Sequence, residues 1–142
     1  RSQTVNFYLD KLDFFVSFEL DDNFNEIIKS RHRDMFSYES FSAGERQRID
    51  LALMFTFRHL AGIRNSLNCN LLFLDEILDS SLDVAGIDNL VKIFESDDLK
   101  DSNIFVISHR NRDTFEDIFD GSYEIYRERG FSQLRDMNEV QT

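Results

Sequence analysis

The chain has 142 residues, 42% apolar and with fifteen Phe, enough for one domain with a real core and against intrinsic disorder. Its net charge of −11 is the wrong sign for a self-sufficient nucleic-acid surface, so any DNA contact must come from a local patch, another segment or a partner. A single cysteine, Cys69, excludes an internal disulfide and suits a reducing cytoplasm, and apolar stretches such as 51–57 are too short to span a bilayer. There is no secretory pattern at Arg1, and a chain opening without Met reads as a piece of something longer.

In chain order, residues 4–12 set Val5, Tyr8, Leu9 and Leu12 on one face of a helix. Phe14, Val16, Phe18 and Leu20 then alternate with Phe15, Ser17 and Glu19, the two-residue period of a strand. The turn Asp21-Asp22-Asn23 leads into a short strand over 24–28, giving a hairpin. Residues 31–40 are polar and irregular, as in a loop. From 45 to about 63 the pattern is a long helix, apolar on most sides through Ile49, Leu51, Leu53, Met54, Phe57 and Leu60, and so expected to be buried.

Two runs, 71–74 and 104–107, are continuously apolar, as in strands covered on both faces. Val84, Ile87, Leu90, Val91 and Phe94 fall between them at helical spacing. Strand, helix, strand in that order predicts a right-handed parallel unit. A short helix over 112–119 follows, then a hairpin of 123–127 and 131–134 around Arg129-Gly130. With no internal repeat, low-complexity tract or proline, residues 1–142 read as a single α/β domain.

Chemistry-bearing residues sit where these elements end. Asp75 and Glu76 follow an apolar strand, and open parallel sheets bind ligands beyond the carboxyl ends of their strands. There an Asp can hold Mg²⁺ while a neighbouring carboxylate orients or deprotonates an attacking water. Alone, such a pair more often caps the next turn. Ser42-Ala43-Gly44-Glu45 precedes the long helix, and Ser with Glu three residues on is a capping box; the same tip offers N–H groups to a phosphate. His109, after Ser108, could donate to a phosphate oxygen, although a lone His at a strand end is more often only polar. Ser80-Ser81-Leu82-Asp83 reads as a helix start, with Ser80, Ser81 or Asp83 as the cap.

Taken together these motifs have an order. Phe41-Ser42-Ala43-Gly44-Glu45 resembles the signature of ABC-type ATPases, usually Leu-Ser-Gly-Gly-Gln/Glu. Residues 71–76 look like a Walker B strand with its catalytic Glu, 80–83 like the D-loop, and Ser108-His109 like the switch histidine. The resemblance covers roughly 41–110. Glu45-Arg46-Gln47-Arg48, and Asp75-Glu76-Ile77-Leu78 in place of the transporters' Asp-Glu-Pro-Thr, are similar to the SMC and recombination-repair branch. Most similar are the large ATPase subunits of T-even phage recombination exonucleases, relatives of bacterial SbcC.

This resemblance implies an α/β fold: the C-terminal lobe of a P-loop (ABC/SMC-type) ATPase head, with parallel strands, helices and peripheral antiparallel hairpins. Residues 1–12 would end the helix by which a coiled coil rejoins the head. A phosphate loop of the form Gly-x-x-x-x-Gly-Lys-Ser/Thr is missing, since none of Gly44, Gly62, Gly86, Gly121 and Gly130 precedes a lysine. It implies ATP and Mg²⁺ as cofactors, with the fragment alone inactive. Its partners are the Walker A half of the same protein, a second head, a nuclease subunit and, through the assembly, double-stranded DNA. No membrane partner is implied, and the location is the cytoplasm, that of the host if the source is a phage.

The roles it implies are residue by residue. Asp75 supports Mg²⁺, Glu76 polarises water and His109 touches the γ-phosphate, while Ser42, Ala43, Gly44 and Glu45 reach the nucleotide of the opposite head. In the D-loop of Ser80, Ser81, Leu82 and Asp83, Asp83 lines the dimer interface and helps position water. ATP joins two heads and hydrolysis releases them, driving DNA-end processing by the nuclease in recombination, replication and repair. Ala43 adds a methyl where the family often has Gly, and Phe41 is a larger plug than Leu. Arg31, His32, Arg33, Arg46 and Arg48 are candidate DNA contacts, though such cations usually pair with nearby acids. Three rivals differ in class: a metal-dependent nuclease using Asp75, Glu76, Asp79 and Asp83, an SMC-like DNA clamp without a nuclease, and a transporter subunit.

Overall fold

The computed structural model describes residues 2–21, 23, 25–30, 33–65, 69–79, 81–110 and 118–138. They fall into two compact units, 1–108 and 109–142. Among the described residues no helix is long and apolar enough to cross a membrane.

The first unit opens with helix α1 (Ser2–Lys11), whose Val5, Tyr8 and Leu9 are buried with the following Leu12, as the spacing predicts. It ends in a Schellman closure: the Phe14 N–H reaches the Leu9 carbonyl, the Asp13 N–H reaches that of Asp10, and Asp13 takes a left-handed φ of 55°. This closure uses Phe14, so strand β1 starts at Val16 (Val16–Leu20). Asn6 of α1 imitates a neighbouring strand, accepting from the Phe18 N–H at 2.7 Å and donating to its carbonyl at 3.2 Å.

β1 pairs antiparallel with β2 (Glu26–Ser30), joining buried Phe18 to buried Ile28 across the pair. The Asp21 carboxylate closes their turn by accepting from the Asn25 side-chain amide and from the backbone N–H groups of Asn25 and Asn23, which lower its pKa in that order. β2 thus lies two residues beyond the expected 24–28. The loop expected over 31–40 instead contains strand β3 (Arg33–Phe36), which adds to β2 across a register shift, and a 3-10 turn, Tyr38–Ser40. Four residues of mixed polarity carry no readable alternation, and their pairing depends on β2 rather than on local propensity.

Helix α2 (Ala43–Asn65) buries Ile49, Leu51, Ala52 and Phe55 completely, and Thr56 satisfies its hydroxyl on the Ala52 carbonyl. The expectation of burial on most sides is corrected: Phe57 and Ile63 are each 67% exposed, and Leu53, Met54 and Leu60 are half-buried. Strands β4 (Leu71–Asp75) and β5 (Asn103–Ile107) are parallel, joined through helix α3 (Val84–Phe94), which buries Gly86, Ile87, Leu90 and Ile93. Among the described residues the pair is covered on one face. On the other, Phe73 stacks on Phe105 at 5.1 Å with 60% and 45% exposure, flanked by Leu71 and Ile107. The run of apolar residues predicts two covered faces, and the described residues supply one.

Two polar ties lock the layers. The Arg58 guanidinium of α2 donates to the carbonyls of Leu71 and Cys69 and to the Ser102 hydroxyl, pinning the starts of β4 and β5. The Tyr8 hydroxyl donates to Asp98 at 2.9 Å, with the His59 Nδ1 3.6 Å from the same carboxylate. Burial first, then the hydrogen bond to Asp98 and its charge, push the Tyr8 phenol far above the ordinary tyrosine range.

In the second unit β6 (Tyr123–Glu128) and β7 (Phe131–Asp136) form the expected hairpin. Arg129 and Gly130, both at positive φ, make the two-residue turn that matches strand twist. On one face Arg135 bridges Glu124 and lies over the Tyr126 ring. Of the helix expected over 112–119, all but the last two residues lie outside the described residues.

Candidate functional site

Ser42 starts α2 as the sequence predicts. Its N–H donates to Glu45 Oε2 at 2.8 Å, and the Glu45 N–H donates back to Ser42 Oγ at 3.3 Å, closing the capping box. Ser42 and Ala43 stay exposed, so no side chain among the described residues covers them. First-turn N–H groups of a helix point outward along its axis at the positive end of the dipole, which suits an anion. Just upstream, Phe41 meets the Phe14 ring edge-on at 5.6 Å, giving the larger plug its place. The Tyr38 hydroxyl donates to both Asp50 oxygens at 2.8 and 2.9 Å; desolvation and then the Asp50 contact raise its pKa. A cleft of about 570 Å³ opens beside the tip, among Tyr38, Ala43, Arg46, Asp50, Ile77 and Ser81.

Gly44 has a task inside the lobe as well. A Cβ at that position would lie 2.9 Å from the Ser81 carbonyl oxygen, so the helix tip and the connection after β4 approach at backbone distance. Nothing in the sequence joins Gly44 to Ser81.

The acidic pair occupies the carboxyl edge of the parallel strands. Asp75 ends β4, in register with Ile107, and both Asp75 and Glu76 are exposed. The Glu76 N–H continues the ladder by donating to the Ile107 carbonyl at 2.8 Å, yet its φ is +53°. A non-glycine residue held in the left-handed region costs on the order of 1–3 kcal/mol and recurs at functional sites.

Beyond Glu76, the Gln47 side chain of α2 donates to the Ile77 carbonyl at 3.0 Å, and Leu78 and Leu82 are buried. The Ser108 hydroxyl donates to the Asp79 carboxylate. Asp83 is the cap of α3, its Oδ1 accepting from the Gly86 N–H at 2.8 Å and from Arg48 Nη2 at 2.9 Å. Ser81 is exposed, and Ser80 lies outside the described residues. His109 is exposed and opens the second unit directly after Ser108.

Of the four carboxylates of the nuclease reading, Asp79 and Asp83 take separate partners, Ser108 and Arg48. Among the described residues no three His, Cys, Asp or Glu side chains gather at one point, as that reading needs. Of the candidate DNA contacts, Arg48 is engaged with Asp83, Arg46 lines the cleft, and Arg31 and His32 lie outside the described residues. Arg48 as a partner of Asp83 was not legible, since nothing in the sequence joins two positions so far apart; Asp83 as a candidate cap of the helix starting after 80–83 was the visible half.

No family model matches the chain. Exonuclease subunit 2 of Enterobacteria phage T4 is 44% identical over 115 residues, 81% of this chain and 20% of that protein. Exonuclease subunit 2 of Escherichia phage RB69 is 45% identical over 112 residues, 79% of this chain and 20% of that protein. Probable exonuclease subunit 2 of Escherichia phage T5 is 32% identical over 110 residues, 75% and 18% of the two chains. The chain thus spans about a fifth of the length of these relatives. Among solved structures, one described as "Structural biochemistry of ATP-driven dimerization and DNA stimulated activation of SMC ATPases" matches at TM-score 0.71 and 22% identity, over 96% of this chain and 82% of that one. The SMC head domain from Thermotoga maritima matches at TM-score 0.66 and 23% identity, over 96% and 46%. At such identities these matches speak for the fold.

Proposed function

This chain belongs with the phage exonuclease subunit 2 proteins and has the α/β fold of an SMC ATPase head; from that premise we propose that it is the C-terminal lobe of an ATP-hydrolysing head in a phage exonuclease complex. Residues 1–142 act as one lobe, with 1–12 ending a coiled-coil helix. The Walker A half of the protein covers the open β4–β5 face and brings the phosphate loop. Two heads close on ATP and separate on hydrolysis, and this cycle governs DNA-end processing by a partner nuclease in the host cytoplasm, in recombination, replication and repair.

Within one head Glu76 orients and deprotonates the attacking water and His109 donates to the γ-phosphate. Asp75, a carboxylate exposed at the strand end, would hold Mg²⁺, which neutralises charge on the phosphate oxygens. The α2 tip, Ser42 to Gly44 with Glu45 closing the cap, serves the nucleotide of the opposite head, and residues 80–83 line the meeting surface. One observation carries this reading: among the described residues, the serine-led helix tip, the acid-ended strand and one face of the sheet are all exposed.

The test combines the chain with its Walker A half and measures ATP turnover. The expected result is activity only in the combination, and a loss of about 10²–10⁴-fold for Glu76→Gln. Turnover by the chain alone, or by Glu76→Gln at the normal rate, rejects the proposal. The likeness to SMC heads favours one second reading, a DNA clamp without nuclease. Copurification with a nuclease subunit separates the two.

A further inference from the structure

We infer that Arg48 is a positioning residue: it fastens the helix carrying the phosphate-facing tip to the connection leaving the acidic strand, so that the two half-sites of one lobe move together. The inference rests on the proposed roles of Ser42–Gly44 and Asp75–Glu76, and deepens them.

Three successive contacts join the first two turns of α2 to residues 77–86. Gly44 admits the Ser81 carbonyl, Gln47 donates to the Ile77 carbonyl, and Arg48 donates to Asp83. Positions 44, 47 and 48 share one helical face, as residues three and four apart do. Only the last contact joins two charged side chains, and its setting is built for it. The Arg48 side chain is 17% exposed against 67% for Asp83. Gly86 leaves the necessary room, since a Cβ there would lie 2.9 Å from Asp83 Oδ1 and 3.5 Å from Arg48 Nη2.

One oxygen, Asp83 Oδ1, therefore caps α3 and holds Arg48 at once. A shift of α2 on engaging one nucleotide is passed to the segment that begins at Glu76, beside the other. Breaking the pair lets each half-site relax separately. Nucleotide capture, which depends mainly on the phosphate loop, is spared, whereas the alignment that turnover requires is lost.

A double-mutant cycle in the assembled head tests this. Asp83→Asn keeps an oxygen for the Gly86 N–H and removes the charge. Arg48→Ala and Asp83→Asn are each expected to lower kcat on the order of tenfold, with KM for ATP within about twofold of wild type. The double variant falls no further, because both changes cut one link. Arg48→Lys restores part of the rate. Independent, multiplying losses, or a rise in KM with kcat intact, overturn the inference. Should Arg48→Ala not fold, Arg48→Lys completes the cycle with Asp83→Asn, and the same additivity decides. Glu76→Gln run in parallel keeps the two failures apart: full turnover there sinks the underlying reading, whereas its loss beside an additive cycle sinks only the role of Arg48.

Discussion

Within the first unit the helices and the parallel strands are finished to different degrees. Tyr8, Leu9, Leu12, Ile49, Leu51, Phe55, Leu90 and Ile93 come from α1, α2, α3 and their edges and are almost wholly removed from solvent. A few residues away, Phe73 and Phe105 stack on each other with roughly half their surface open. The strands are the more apolar of the two in sequence. What differs is whether the described residues cover them, so an apolar run by itself does not say which segment, if any, covers a strand.

Stability measurements can break or sharpen that contrast. The largest effect is expected for Phe55→Ala, about 3–5 kcal/mol in chemical denaturation, because its cavity has no route to relax. Arg58→Ala comes next, at about 1.5–3 kcal/mol, since it removes the charged donor from carbonyls at the start of β4. A smaller effect is a matter of pH. The Tyr8 phenol stays protonated in the fold after its unfolded counterpart ionises, so its contribution is complete below the ordinary value of about 10 and is lost as pH rises beyond it. Denaturation midpoints should fall more steeply above that pH for wild type than for Tyr8→Phe. The smallest effect is Phe73→Ala, within about 0.5 kcal/mol in this chain alone, growing to the core range once the Walker A half is added. A large loss in the isolated chain would show that the face is covered already.

The same contrast explains what could be read beforehand. The α1 face, the β1–β2 hairpin, the parallel strands and the terminal hairpin followed from local periodicity, and the Ser42–Glu45 box from spacing within one turn. β3 escaped because four mixed residues gain their order from β2, and Phe57 escaped because a helix apolar all round does not say which side this chain fills. At the site, the left-handed Glu76, the Ser81 carbonyl against Gly44 and the Arg48–Asp83 pair are contacts between elements or strain in one residue, and neither leaves a periodic trace.

Whether one lobe serves two nucleotides is tested most directly by mixing two inactive heads. Ser42→Arg blocks the helix tip and Glu76→Gln disables the strand end, so each assembled head on its own should be inactive. An equal mixture should recover about a quarter of wild-type ATP turnover, because half the dimers are mixed and each mixed dimer holds one intact pairing. Recovery near that level is the predicted result. A mixture as inactive as its components would mean that Ser42 and Glu76 act on the same nucleotide, contradicting the account.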